Sequence, residues 1–157
     1  MIRIFSLSKA LKFHNGVTLV ELLIVVAIMS ILASVAYPNY MVHVLKSHRM
    51  EAVSALIKTQ LHIESLYSTR AETAAKDRYK ALLELVINKE IGSCLIDSVC
   101  GIDNKRYHLS YDLLGSGSNT YILSATPQSA LGQNKDSCGI LSLNAAGVGS
   151  GEDTHCW

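Results

Sequence analysis

A chain of 157 residues, 49% hydrophobic and 17% charged, has room for one modest domain plus whatever an apolar segment requires. Its formal charge of +1 gives no global electrostatic basis for binding nucleic acid or anionic lipid. The charge is uneven, however: Arg3, Lys9 and Lys12 precede Gly16 and no acidic residue does, so without that leader 11 basic residues face 13 acidic ones, a charge of −2.

From the amino end, the first element is a run of twenty positions, Val17 to Ala36, in which Glu21 is the only charged residue. Twenty residues at 1.5 Å rise give about 30 Å of helix, the hydrocarbon thickness of a bilayer. The nearer basic excess lies on the amino side, which by the positive-inside rule puts the amino end in the cytoplasm and exports the rest. A secretory signal has a shorter apolar core followed by a cleavage site. Here the order is reversed, since the basic leader ends in Gly16 directly before the run.

Those residues, "GVTLVELLIVVAIMSILA", resemble the class III signal of type IV pilins and pseudopilins. The resemblance implies cleavage between Gly16 and Val17 by a prepilin peptidase, N-methylation at Val17, and an assembly role for Glu21. Val17 departs from the Phe or Met usual at the first mature position. The physical case for Glu21 runs alongside. Cleavage would create an amine at Val17, with a reference pKa of about 8, one turn from the carboxylate. The positive end of the helix dipole favours an anion there by about 0.3–1 kcal/mol. In a stack of subunits Glu21 could meet a neighbour's Val17 amine, which would set register.

Pro38 predicts a bend near Val35 to Tyr37. Helical periodicity then resumes, with Val42, Leu45, Ala52, Leu56, Ile63 and Tyr67 in one stripe flanked by Val53 and Ile57. Lys46, Arg49, Glu51, Lys58 and Glu64 fall largely off it, and His43, His48 and His62 read as surface residues. The long helix is expected to run from Val17 to about Ser68. A second helix is expected from Ala74 to Lys89, with Tyr79, Leu82, Leu83, Val86 and Ile87 on one face and Gly92 as its stop. "RYHLSYDL", "TYILSATP" and "CGILSLNAAG" then read as three strands of an antiparallel meander, the first two joined by the turn "GSGSN". The fold class is α+β, in the order of the pilin fold. The expected organisation is a leader at 1–16, a transmembrane and assembly helix at 17–37, and an exported domain at 38–157 that includes the second half of the long helix.

Cys94, Cys100, Cys138 and Cys156 all lie in the part that would be exported, an even number that reads as two disulfides. Three connectivities exist, and sequence-local pairing is the simplest. Zinc held with His108 or His155 competes, against the lack of a short Cys-x2-4-Cys spacing; no metal and no cofactor is expected. The tail ending in Cys-Trp is similar to those of PilE-like minor pilins. There a Cys138–Cys156 bridge would hold down a loop with four glycines, and Trp157 is expected to pack on the sheet.

No phosphate loop, Gly-x-Ser-x-Gly elbow or His-Glu-x-x-His is present. Asp97, Asp103, Asp112, Asp136, Glu152 and Asp153 sit in turn-like sequence, where a solvated role is the default. The chain reads as a non-enzyme, a structural subunit of a type IV pilus, of the minor kind. Such a subunit supports fibre biogenesis, adhesion, twitching motility or DNA uptake. Its expected partners are other pilin subunits through the N-terminal helix, the prepilin peptidase and an inner-membrane assembly platform. It would cross the inner membrane once before assembly and lie on the pilus surface afterwards. Two rivals stand beside this reading, a type II secretion pseudopilin and a pilus-displayed DNA receptor. For the latter Lys105, Arg106 and Lys135 are the candidate cations, but with Asp103 and Asp136 flanking them nucleic acid is the less favoured partner.

Overall fold

A computed structural model describes residues 17–69, 75–114 and 120–157. The leader with Arg3, Lys9, Lys12 and Gly16, and the expected turn at 115–119, lie outside the described residues. The chain divides into two compact units, Met1–Asn39 and Tyr40–Trp157. Helix α1, Leu19–Thr69, begins in the first and ends in the second.

In the first unit α1 starts at a cap the sequence carries in Thr18-x-x-Glu21. The Glu21 N–H, one of the helix's orphan donors, donates to Thr18 Oγ1 at 3.2 Å, and the Leu22 N–H makes the first intrahelical bond to Thr18 O at 3.1 Å. Two serines interrupt the apolar run, and both close on their own helix. Ser30 Oγ donates to Val26 O at 2.8 Å and Ser34 Oγ to Ile31 O at 2.7 Å, the behaviour an apolar solvent demands of a hydroxyl. Every large apolar side chain from Val17 to Val35 is exposed. α1 is long and apolar enough to cross a membrane. α1 continues through Pro38.

The second unit is an α+β layer structure. Strands β3, Tyr107–Leu113, β4, Tyr121–Pro127, β5, Leu141–Asn144, and β6, Gly149–Ser150, form an antiparallel sheet in sequential order. Alternation puts Tyr107, Leu109 and Tyr111 of β3 inside, with Tyr121, Leu123 and Ala125 of β4 and Leu141 and Leu143 of β5. The register aligns them into rows, Leu109–Ala125–Leu141 and Tyr111–Leu123–Leu143. These rows belong to one core with Ala52, Val53, Ala55, Leu56 and Ile63 of α1 and with Leu82, Leu83 and Val86 of α2, Ala75–Val86.

Several expectations are corrected here. Val42 and Ile57 are exposed, because the core begins only at Ala52 and Ile57 falls at the margin of the buried face. The second helix ends at Val86 rather than Lys89. Ile87–Asn88 (β1) instead pairs with Ser93–Cys94 (β2). Asn88 is the reason, since its Oδ1 accepts from the N–H groups of Glu90 and Ile91 at 3.1 and 3.4 Å and turns the chain out of the helix. Gly92 completes that hairpin with φ 61°, where a Cβ would strike His108. A four-residue helix α3, Asp97–Cys100, and strand β6 were also not anticipated.

The sulfurs pair as Cys94–Cys100 and Cys138–Cys156. The second bridge ties the chain end beside β6, where the Trp157 indole lies over Gly149 and leaves no room for a Cβ. Replacing Cys138 and Cys156 together by serine is expected to lower stability by about 3 kcal/mol through the entropy of the freed loop; denaturant melts of the oxidised protein and the variant measure it.

Candidate functional site

Two places carry chemistry. In the first unit Val17 and Glu21 lie at the start of an apolar helix with all its faces open. Glu21 is exposed, and its carboxylate makes no ion pair among the described residues.

In the second unit the β4–β5 connection puts Lys135 in one cleft with Lys46 of α1, and Arg106, just before β3, faces Gln133 of the same connection. The Gln128 N–H donates to Arg106 O at 2.7 Å, joining the two segments. The connection turns through Gly132, φ 74°, into a short 3-10 turn, Gln133–Lys135. Gln133 is fully buried. Its Nε2 donates to Leu45 O and to the Tyr107 hydroxyl, both at 3.0 Å, and more weakly to Asp136 Oδ2 at 3.3 Å. Its Oε1 faces the Arg106 guanidinium at 3.5 Å.

Asp136 is not the solvated acid its turn-like sequence suggested. Its side chain is 5% exposed and paired with Arg49 at 2.9 Å, and it also accepts from the Cys138 N–H at 3.1 Å. The Arg49 guanidinium, which the periodicity placed off the packed stripe, also lies against Cys138 Sγ. Asp136 therefore spends its charge on Arg49. Lys46 and Lys135 line one cleft with that pair, together with Val42, Leu45 and Ser137. Lys46, Lys105, Arg106 and Lys135 have no carboxylate partner among the described residues. Asp103 turns its carboxylate to the Lys105 N–H at 2.9 Å.

The remaining predicted residues lie elsewhere. Asp112 pairs with Lys89 at 3.2 Å on the surface. Asp97 opens α3, Glu152 covers Gly139, and Asp153 Oδ1 accepts from the His155 N–H at 3.4 Å and the Thr154 hydroxyl at 3.2 Å. All four sulfurs are used in disulfides, so none is free to join His108 or His155. Glu64, also expected off the stripe, accepts from the hydroxyls of Tyr121 and Tyr79 at 2.7 and 3.0 Å. Tyr79 stacks on Tyr67 with ring centroids 4.3 Å apart, and Arg78 sits over the Tyr67 ring. Gln133 was missed altogether. A glutamine in a turn-rich stretch gives no periodic signal, and only its position after Gly132 hints at a compact turn.

Residues 38–142, about two thirds of the chain, match the family model described as "Type IV minor pilin ComP, DNA uptake sequence receptor". The chain belongs to that minor pilin family. Residues 11–37 match the prokaryotic N-terminal methylation motif, which covers Gly16, Val17 and Glu21. No solved structure matches the chain. As a type IV minor pilin it is a structural protein, and its apolar helix with the class III motif fits a membrane-anchored subunit.

Two measurements probe this unit. Asp136→Ala leaves Arg49 nearly buried without its partner, and a loss of about 3 kcal/mol is expected in denaturant melts. Burial pushes the Tyr107 and Tyr79 hydroxyls up to about 12, aided for Tyr79 by the Glu64 carboxylate, and raises Tyr121 further by the same causes. Because the folded state holds these phenols neutral, their contribution is complete below the unfolded pKa of about 10 and is lost as pH rises through the folded values. Alkaline titration by tyrosinate absorbance is expected to show a delayed group of tyrosines that ionises together with unfolding.

Proposed function

We propose that this chain is a pilus subunit that binds duplex DNA through its basic face. The observation that carries the reading is the family match over residues 38–142, whose description names a DNA uptake sequence receptor. The geometry supports it by changing the charge balance. Asp136, which the sequence sets against Lys135, is neutralised by Arg49, so Lys46, Lys105, Arg106 and Lys135 meet phosphate with Asp103 as the nearby acid. Phosphates are neutralised by several cations together, and four on two adjoining segments and one helix turn are enough for salt-sensitive, register-fixing contact. The secretion pseudopilin is not favoured.

In this reading the leader at 1–16 is removed after Gly16 and Val17 is methylated. The segment 17–37 anchors the subunit and then packs against other pilins, with Glu21 meeting a Val17 amine. The domain at 38–157 is exported and ends on the pilus surface. The prepilin peptidase and an inner-membrane assembly platform are its partners in biogenesis.

Two experiments test the two halves. Titration of the Tyr40–Trp157 unit, which carries its own core, against duplex DNA is expected to give a log–log salt slope of about −3, for three or four neutralised phosphates. Binding that is absent or indifferent to salt removes the DNA reading. Mass spectrometry of sheared surface fibres is expected to find the chain in low proportion beginning at N-methylated Val17, and a chain still carrying 1–16 overturns the assignment of Gly16.

A further inference from the structure

The β4–β5 connection that carries Lys135 has almost no apolar anchor. Between Gln128 and Ser137 the buried side chains are Gln133 and Asp136, both polar, and Leu131 is exposed. A loop of that length is held where its buried side chains are held, Asp136 by Arg49 and Gln133 by the bonds of its amide. Gln133 uses its amide to hold three different parts of the unit, and each part carries a cation one or two residues away. Its bond to Leu45 O fixes the helix turn from which Lys46 projects. Its bond to the Tyr107 hydroxyl and its contact with the Arg106 guanidinium fix the entry to β3. Lys135 belongs to the same 3-10 turn as Gln133 itself.

We infer that Gln133 is a positioning residue for DNA, a buried amide that sets the spacing of Lys46, Arg106 and Lys135 so that all three neutralise phosphates of one duplex. This rests on the DNA reading above. The amide touches no ligand and acts through the cations it spaces. A duplex presents phosphates at fixed intervals, so cations that are present but misplaced lose contacts without any change in total charge. Gln133→Leu keeps the volume nearly constant and removes every one of these bonds.

The test compares full-length wild type, Q133L, K135Q and the double variant in nonionic detergent, titrated with duplex DNA over a range of salt. In Q133L the Kd is expected to rise roughly tenfold near 0.1 M salt and the log–log slope to become shallower by about one, although the protein's charge is unchanged. K135Q is expected to weaken wild type clearly and the Q133L background less than twofold, because a misplaced Lys135 has little left to lose. L82A, a core truncation in α2, serves as the stability control and is expected to leave the slope at its wild-type value. The inference is overturned if Q133L matches wild type in Kd and slope, if the two substitutions add independently, or if L82A shifts the slope equally. Should Q133L melt below the assay temperature, Y107F removes one of the same bonds while keeping the ring, and it must reproduce the shallower slope. Wild type without salt-sensitive binding removes the DNA reading itself, a result distinguishable from wild type that binds and a Q133L that binds equally.

Discussion

The second unit depends on one face of α1 sharing a single core with the sheet. Ala52 and Ala55 give that face a shallow surface beside Leu56 and Ile63, against rows of Leu, Ala and Tyr drawn from three strands. The polar edges of that helix reach the sheet and its connections at both ends. At one end Leu45 and Arg49 meet Gln133 and Asp136. At the other, Gln60 Nε2 donates to Asn144 O and Ala145 O at 3.2 and 3.0 Å, and Glu64 receives the Tyr121 hydroxyl. The apolar contact supplies most of the stabilisation and does not by itself choose a register along the helix axis. The polar contacts at both ends do, since a slip by one turn would leave Arg49, Asp136 and Glu64 without their partners.

What was legible in the sequence follows the reach of each signal. The meander was readable because Tyr107, Leu109 and Tyr111, then Tyr121, Leu123 and Ala125, alternate without interruption. The amino-terminal helix and its glutamate were readable because few other arrangements produce a basic leader, a glycine and an apolar run in that order. The hairpin of Ile87–Asn88 with Ser93–Cys94 was hidden, since "LELVIN" continues a helical stripe until the Asn88 side chain captures the next backbone donors.

The polar joint was hidden for a different reason. Leu45 and Arg49 lie more than eighty residues along the chain from Gln133 and Asp136, and nothing in their local sequences announces that they meet. Reading Asp136 as a surface anion led to an underestimate of the basic face, because that estimate depended on whether Asp136 was already occupied. Burial of an acid with its own arginine is a tertiary fact, and it changed the electrostatic argument more than any of the lysines did.

Ser30 and Ser34 have a consequence for the first unit. Both hydroxyls are satisfied by carbonyls of their own helix, so the run beyond Glu21 presents no unmet donor to whatever surrounds it. Moving such a helix between two apolar surroundings leaves its hydrogen bonding unchanged, and only packing differs. Along most of its length the surface can distinguish neighbours only by how they pack against it. Glu21 is the one charged side chain of the apolar run, one turn from its start.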